Sequence, residues 1–281
     1  MEENSDFCLP LYRVRARNTA SESENKIHDD LVAAQYGFRG ALVPGVAVYG
    51  YMTVPIVARF GRAWLERGAM QVKFHQPVYD GDEVTVRAEL DAASVPIKVA
   101  VEAGRDDGVA CATGLATVDD SSAWLGEPRL DDYPEAALPP MENRPTPSRE
   151  TLRPGTPLGT LRTKLLVPDL ELLEGLGETL PIYFGPAAPA HPMALLALAN
   201  MILVRNFRLG PWIHAASELI NHGAAINGEG ISVRGLIRDV FERKGHEFVV
   251  LDLLFTAAGD RIVQHVRHTA IYQPRPVETR V

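Results

Sequence analysis

The sequence predicts an α+β fold built from two copies of one unit, in which a long apolar helix is followed by an antiparallel sheet. Three observations predict it. Each half of the chain contains one apolar helical run, and each run is followed by strand-like segments with a period of two. The third is a distance: Gly45 precedes the turn at Gly81 by 36 residues, and Pro192 precedes Gly228 by the same 36. A fixed helix-to-turn distance indicates an internal duplication.

The first half begins with a strand-like segment at residues 7–17, where Pro10 favours the edge of a sheet. Residues 31–36 have helical spacing. Residues 45–59 are apolar on every side, which is typical of a helix enclosed by other elements. Alternating strands are then predicted at residues 70–74, 83–90, 97–103 and 109–118.

An acidic, proline-rich linker separates the halves. We assign residues 1–123 to the first unit, 124–153 to the linker, which we expect to be extended along the surface, and 154–281 to the second unit. In the second unit a helix is predicted at residues 193–206. Strands are predicted at residues 161–167, 213–221, 231–241, 247–255 and 261–272.

The composition excludes several classes of protein. A net charge of −8 argues against sequence-independent nucleic-acid binding, which uses clustered Lys and Arg. Prolines interrupt both uncharged runs, so neither predicts a membrane span. Cys8 and Cys111 are too few for a disulfide framework. The acidic N-terminus does not resemble a signal peptide, and a reducing, cytoplasmic location is expected.

A polar segment, with the pattern N-x-x-H-x-D at Asn25, His28 and Asp30, precedes the first long helix, which opens at Pro44-Gly45. Polar and ionisable side chains at the start of a buried helix are a plausible place for chemistry on a small molecule.

This pattern resembles the active-site segment of the MaoC-like enoyl-thioester hydratases and dehydratases, which have the hotdog fold. The family pattern is S-G-D-x-N-P-x-H-x-D, followed by a His-Gly pair at the helix start, where this chain has Pro44-Gly45. The later pattern F-x-x-P-x-x-x-G also matches, at Phe74, Pro77 and Gly81. The resemblance implies a double hotdog, in which the second unit lacks the catalytic loop.

The resemblance also implies a reaction. Members of the family hydrate enoyl thioesters of coenzyme A or acyl carrier protein, or dehydrate 3-hydroxyacyl thioesters, with an Asp and a His as base and acid. By this likeness His28 is catalytic with Asn25 beside it, and Asp30 helps to bind the substrate. The N–H groups of Gly45 and Val46 would stabilise negative charge on the thioester oxygen.

The chain departs from the family at one position. Ser23 stands where the catalytic Asp is expected, five residues before His28, and a serine hydroxyl cannot replace that base. Glu24 is a carboxylate one residue out of register. Three interpretations stay open. In the first, Glu24 takes the place of the missing Asp and acts with His28, Ser23 and Asn25. In the others, the site binds thioesters without hydrating them, or it performs different chemistry.

Each of these residues also has an ordinary structural explanation. His28 could be an exposed residue that caps a turn, and Asn25 could bond its own loop backbone. Asp30 lies where acidic residues favour a helix start whatever the function.

Other histidines give weaker signals. His214, Glu218 and His222 have even spacing, so on a strand they would share a face, and we interpret them as polar residues of the sheet surface rather than metal ligands. No phosphate-binding or dinucleotide motif is present. No metal and no cofactor are expected. His191 is interpreted as a relic of the duplication, and residues 183–193 are expected to line the substrate tunnel.

The sequence therefore favours a hydro-lyase acting on acyl thioesters. A hotdog acyl-CoA thioesterase is one alternative, although such enzymes commonly carry a carboxylate on the central helix and neither helical run here contains one. A non-catalytic acyl-thioester-binding protein is the other, and Ser23 supports it. Association into a homo-oligomer stays open.

Overall fold

Two long buried helices, one in each half of the chain, form the centre of the fold. The computed structural model describes residues 8–21, 23–118, 124–166, 168–226 and 228–275. Its helices are α1 (Asp30–Gln35), α2 (Gly45–Phe60), α3 (Arg62–Arg67), α4 (Leu170–Leu176) and α5 (Pro192–Asn206).

The ends of the two long helices follow from local chemistry. α2 ends at Gly61, whose φ of 57° suits a residue without a Cβ and whose N–H donates to the Val57 carbonyl at 2.8 Å. α5 begins with Pro192, and the His191 imidazole caps it by accepting a hydrogen bond from the Met193 N–H at 3.1 Å. No helix in the described part of the chain is long and apolar enough to cross a membrane.

In the described residues, ten antiparallel strands form one sheet around these helices. In chain order the strands are β1 (Tyr12–Arg15), β2 (Ala69–Phe74), β3 (Glu83–Asp91), β4 (Ile97–Arg105), β5 (Ala110–Val118), β6 (Pro157–Lys164), β7 (Ile213–Asn221), β8 (Gly230–Arg243), β9 (His246–Ala257) and β10 (Arg261–Gln273). Their order across the sheet is β1-β3-β4-β5-β2-β7-β10-β9-β8-β6.

The two halves meet in the middle of the sheet. β2 of the first half pairs with β7 of the second, with Met70 opposite Leu219. β1 and β6 are the two edges, so each half contributes a five-stranded portion that ends on its own first strand. The helix α2 also packs against α5. The loops that precede the helices are thereby brought to the junction between the halves.

The segment between the halves is anchored rather than free. Its described part contains two short 3-10 turns, Leu130–Asp132 and Met141–Asn143. Tyr133 is buried, and its hydroxyl lies 2.9 Å from Asp252 Oδ1 and 2.8 Å from His265 Nε2. The linker therefore crosses the outer side of the second half and is fixed to it by a buried polar cluster.

The predicted α+β architecture is confirmed, with both central helices and the antiparallel strands in place. The sequence interpretation missed α3 and α4, which have six and seven residues. Parts of three predictions, at Phe7, Val167 and Asn227, lie outside the described residues.

Candidate active site

A cavity of about 240 Å³ lies at the N-terminus of α2, and both halves of the chain line it. The first half contributes the loop before α2, the first turn of α2 and the end of β2. The second half contributes one residue of α5, the start of β7, and one residue each of β9 and β10. The residues that carry the argument below are Asn25, His28, Gly45, Asn200, Trp212 and His214.

The structure places His28 in the wall of this cavity with one ring nitrogen fixed. Its Nδ1 lies 2.6 Å from the Leu42 carbonyl oxygen, so Nδ1 carries the proton and donates to that oxygen. Nε2 is then the nitrogen with a free lone pair in the neutral ring. Burial lowers the pKa of His28, and the Leu42 carbonyl opposes that effect only in part. The imidazole is therefore neutral at pH 7 and can accept a proton at Nε2.

Asn25 connects the His28 loop to the second half of the chain. Its side-chain Nδ2 donates to the Trp212 carbonyl at 2.9 Å, and its Oδ1 accepts from the Trp212 N–H at 3.2 Å. The same Nδ2 lies 3.4 Å from His28 Nε2. Oδ1 also accepts from the Ile27 N–H, which caps a 3-10 turn at Lys26–His28. The buried amide thus holds the imidazole in place and ties its loop to a residue 187 positions away.

The first turn of α2 offers backbone donors beside the imidazole. No described residue accepts a hydrogen bond from the N–H of Gly45 or of Val46, as expected at a helix start. Gly45 lines the cavity, whereas the Val46 side chain is buried behind it. A Cβ added to Gly45 would lie 3.0 Å from Nδ1 of His214. The position therefore favours glycine because His214 of the second half approaches it so closely.

Gly45→Ala is expected to impair both stability and ligand binding, because the added methyl group would have to displace the fully buried His214 ring. Overpacking of this kind costs about 1–3 kcal/mol. Thermal unfolding and the Kd of an acyl thioester measure the two effects. Gly210→Ala is the matched control, since a Cβ there would have no neighbour within 4 Å. Equal behaviour of the two variants would contradict this assignment.

The other residues singled out in the sequence lie away from the imidazole. Ser23 donates from its hydroxyl to the Asn25 carbonyl at 3.3 Å. The Glu24 carboxylate is exposed and lies 3.8 Å from the Arg144 guanidinium, beside a second cavity of about 440 Å³ that shares Asn25 and Trp212 with the first. Asp30 is exposed and accepts from the Ala41 N–H at 2.7 Å. Because Asn25 points inward in an extended segment, its neighbour Glu24 points outward.

The second half lines the cavity through other residues than the sequence predicted. The segment around Tyr183 and His191 borders a separate gap of about 10 Å³, room for about one water molecule, so the predicted tunnel lining was wrong. The cavity at His28 instead meets Asn200 of α5 together with Trp212 and His214. The one signal for Asn200 in the sequence was a lone amide in the middle of an otherwise apolar helical run.

His214 is buried rather than on the sheet surface, and an irregular register explains why. Ser217 pairs with His268 and Ala216 with Thr269, but His214 pairs with Ala270, so Ala215 is an extra residue. A bulge of one residue turns the preceding side chain to the opposite face. His214 therefore shares the inner face with Ser217, and the sequence interpretation, which assumed unbroken alternation, was wrong.

A chain of buried polar groups extends from His214. Nε2 of His214 lies 2.8 Å from the Ser217 hydroxyl, which lies 3.0 Å from Nδ1 of His268. The two rings stack with their centroids 4.2 Å apart. Burial lowers the pKa of His268 to about 3. Burial and the neighbouring His268 ring together lower the pKa of His214 well below its ordinary value of 6.5. Both imidazoles are neutral at pH 7.

The start of α5 holds a carboxylate and an imidazole in contact, unlike the start of α2. His191 Nε2 lies 3.4 Å from Glu178 Oε2, and both side chains are buried. Because Nδ1 of His191 accepts from Met193, Nε2 carries the proton and faces the Glu178 carboxylate. Burial raises the pKa of Glu178, but hydrogen bonds from His191 and from the Leu180 and Thr179 N–H groups lower it overall. This pair is enclosed, with no cavity comparable to that at His28.

No group of three His, Cys, Asp or Glu side chains in the described residues is arranged to hold a metal ion. Nor does any Asp, Glu, Lys or Arg stand among the described residues that line the cavity at His28. The chemistry available there is that of imidazoles, amide groups and backbone N–H donors.

No protein-family model matches the chain, and no curated protein matches it. Solved structures do match. A protein described as a MaoC domain dehydratase from Chloroflexus aurantiacus is 10% identical, with a TM-score of 0.69 over 96% of this chain and 94% of that one. A conserved hypothetical protein from Mycobacterium tuberculosis, described as a double hotdog, is 16% identical, with a TM-score of 0.62 over 94% of this chain and 96% of that one.

These likenesses confirm the predicted fold: the chain is a double hotdog of the kind found in MaoC-like proteins. The same fold also serves other chemistry. An acyl-CoA thioesterase from Mycobacterium marinum is 14% identical, with a TM-score of 0.51 over 95% of this chain and 94% of that one. The reaction must therefore be argued from the site and not from the fold.

Proposed function

We propose that the protein is a hydro-lyase that adds water to enoyl thioesters of coenzyme A or acyl carrier protein, or removes it from 3-hydroxyacyl thioesters. One observation carries the proposal: His28 lines a cavity at the N-terminus of a buried helix, and its neutral ring bears the lone pair on Nε2, 3.4 Å from the Asn25 amide. A base at this place can reach an acyl group whose thioester oxygen lies at the helix N-terminus, where backbone N–H groups favour negative charge.

In this proposal His28 serves as both base and acid, because no carboxylate is among the described residues that line the cavity. For dehydration, Nε2 removes the proton from C2 of the 3-hydroxyacyl group. The electron pair forms the C2–C3 double bond, and the C3 hydroxyl leaves as water with the proton that the imidazolium returns. The N–H groups of Gly45 and Val46 stabilise the thioester oxygen while C2 carries negative charge. Hydration is the same sequence in reverse.

Asn25 is a positioning residue in this scheme. Its amide lies 3.4 Å from Nε2 and is itself fixed on both sides by the Trp212 backbone. Ser23, Glu24 and Asp30 have no contact with the imidazole in the described structure. Ser23 supports Asn25, Asp30 supports the turn at Ala41, and Glu24 faces Arg144. The second half contributes to catalysis by holding the loop in place.

The pH dependence of kcat/KM tests the state of His28. The reaction needs the neutral imidazole, so activity is expected to fall as the pH drops through the lowered pKa of His28, below its ordinary value of 6.5. Above that pKa activity should reach a plateau that includes pH 7. Initial rates from about pH 5 to about pH 9 measure it. An activity that keeps rising up to pH 8 would show that the group responsible is not this histidine.

Non-catalytic binding of acyl thioesters is the second candidate, and the outward direction of the Glu24 carboxylate favours it. The deciding experiment is a panel of enoyl and 3-hydroxyacyl thioesters of coenzyme A, assayed in both directions with the product stereochemistry recorded. Interconversion of the two supports the hydro-lyase. Tight binding without turnover selects the binding protein, and release of free thiol selects a thioesterase.

A further inference from the structure

The residues that the second half contributes to the cavity at His28 include buried polar atoms without hydrogen-bond partners, and we call these residues the polar wall. Three buried atoms have no partner among the described residues: Oδ1 of Asn200, Nδ1 of His214 and Nε1 of Trp212. All three belong to residues that line the cavity. In the first half, His28 donates to Leu42 and Asn25 bonds Trp212. The buried atoms without a partner in the described lining therefore all belong to the second half of the chain.

Asn200 is the clearest member of this wall. It is the one residue that α5 contributes to the cavity lining, and neither end of its amide bonds any described residue. Its neighbours along the helix, Ala199 and Met201, are apolar. Asn206 on the same helix shows the usual arrangement of a buried amide, because it bonds Gly159 twice and Ile202 once. An apolar side chain at position 200 would suit a purely alkyl ligand better.

An unpaired polar group against an alkyl chain is unfavourable, whereas the same group against a ligand oxygen gives selectivity. Charge narrows the kind of ligand. No Lys or Arg is among the described residues that line the cavity. The negative charge of a free carboxylate or a phosphate on the acyl chain would therefore have no Lys or Arg to balance it. The complementary group is a neutral one that accepts or donates hydrogen bonds.

We infer that the acyl group taken by this cavity carries a neutral oxygen function in addition to the thioester and to the C3 hydroxyl of the proposed reaction, a hydroxyl or carbonyl group further along the chain, and that Asn200 recognises it. His214 and Trp212 extend the same polar wall. The inference rests on the proposed function in one respect, namely that the cavity takes acyl thioesters. It adds that a plain fatty acyl chain binds less tightly than an oxygenated chain of the same length.

Binding of non-reactive ligands tests this inference without relying on turnover. Calorimetry with the full chain would compare three pantetheine thioesters, because pantetheine is common to coenzyme A and acyl carrier protein: hexanoyl, 5-oxohexanoyl and 6-hydroxyhexanoyl. The wild-type protein is expected to bind at least one oxygenated ligand about tenfold or more tightly than hexanoyl. Asn200→Leu, which has nearly the same size, should lose that preference and bind hexanoyl more tightly than the wild type does.

Met201→Leu is the matched control, since Met201 lies on the same helix outside the cavity lining and should keep the wild-type preference. Thermal unfolding of each variant verifies that it is folded. Equal affinity of the wild type for all three ligands would overturn the inference alone, as would an unchanged preference in Asn200→Leu. Failure of the wild type to bind any of the three would overturn the proposed function together with it.

Discussion

Replacing His28 by alanine is expected to lower kcat/KM for the hydration of crotonyl-CoA by about 10³-fold or more, since one imidazole carries both proton transfers and general acid–base catalysis is commonly worth about 10²–10⁴-fold. The KM should change little, because the walls of the cavity and the N-terminus of α2 remain. Steady-state kinetics with purified variants measure both quantities.

His75→Ala provides the control for that variant. His75 is another histidine in the cavity lining, but it is exposed, and its Nε2 lies 2.7 Å from the Thr113 hydroxyl. It should retain most of the activity. Unchanged turnover in His28→Ala would remove the proposed reaction from this site, and an equal loss in both variants would point to general damage of the cavity.

Replacing Glu178 by alanine is expected to destabilise the protein by about 3–5 kcal/mol, because two hydrogen bonds to a charged carboxylate would be lost and each is worth about 1.5–3 kcal/mol. The Glu178 carboxylate accepts hydrogen bonds from the N–H groups of Thr179 and Leu180, each at 2.7 Å, and it faces the buried His191. Without it, the two backbone donors that follow α4 lose their acceptor, and His191 at the start of α5 loses the carboxylate beside it. Chemical denaturation followed by circular dichroism measures the change in the free energy of unfolding.

Glu174→Ala is the control for the stability experiment, because Glu174 lies on the neighbouring α4 and is exposed. Its effect should be within about 0.5 kcal/mol of zero. If Glu178→Ala were as stable as Glu174→Ala, the contact with His191 would not hold the start of α5 as described. A folded Glu178→Ala protein with full hydration activity would also show that this pair takes no part in the proposed reaction.

The fold could be predicted from the sequence because its main signals are local. The apolar run that became α2 has no polar face, and the strands of both halves alternate with a period of two. The equal distances from Gly45 to Gly81 and from Pro192 to Gly228 indicated two copies of one unit. Short helices such as α4 were missed, although Asp169 before it and Gly177 after it are ordinary cap residues.

The composition of the cavity wall could not be predicted, because it depends on contacts between the halves. Asn25 meets Trp212 across 187 positions, and no local spacing relates the two. His214 reaches the cavity only because Ala215 is an extra residue in β7, and such a bulge reverses the face that alternation assigns. The carboxylate at Glu24 seemed close to His28 in the sequence, yet the backbone directs it to Arg144.

A crystal structure of the protein with butyryl-pantetheine, a thioester that cannot react, tests most directly whether the cavity at His28 binds acyl thioesters. The acyl group is expected to lie in the cavity between the halves. Its C2 atom should be within proton-transfer reach of His28 Nε2, and its thioester oxygen should face the N–H groups of Gly45 and Val46. A thioester bound elsewhere, with this cavity empty and the His28 imidazole turned away from it, would contradict the assignment of this cavity as the acyl-thioester site.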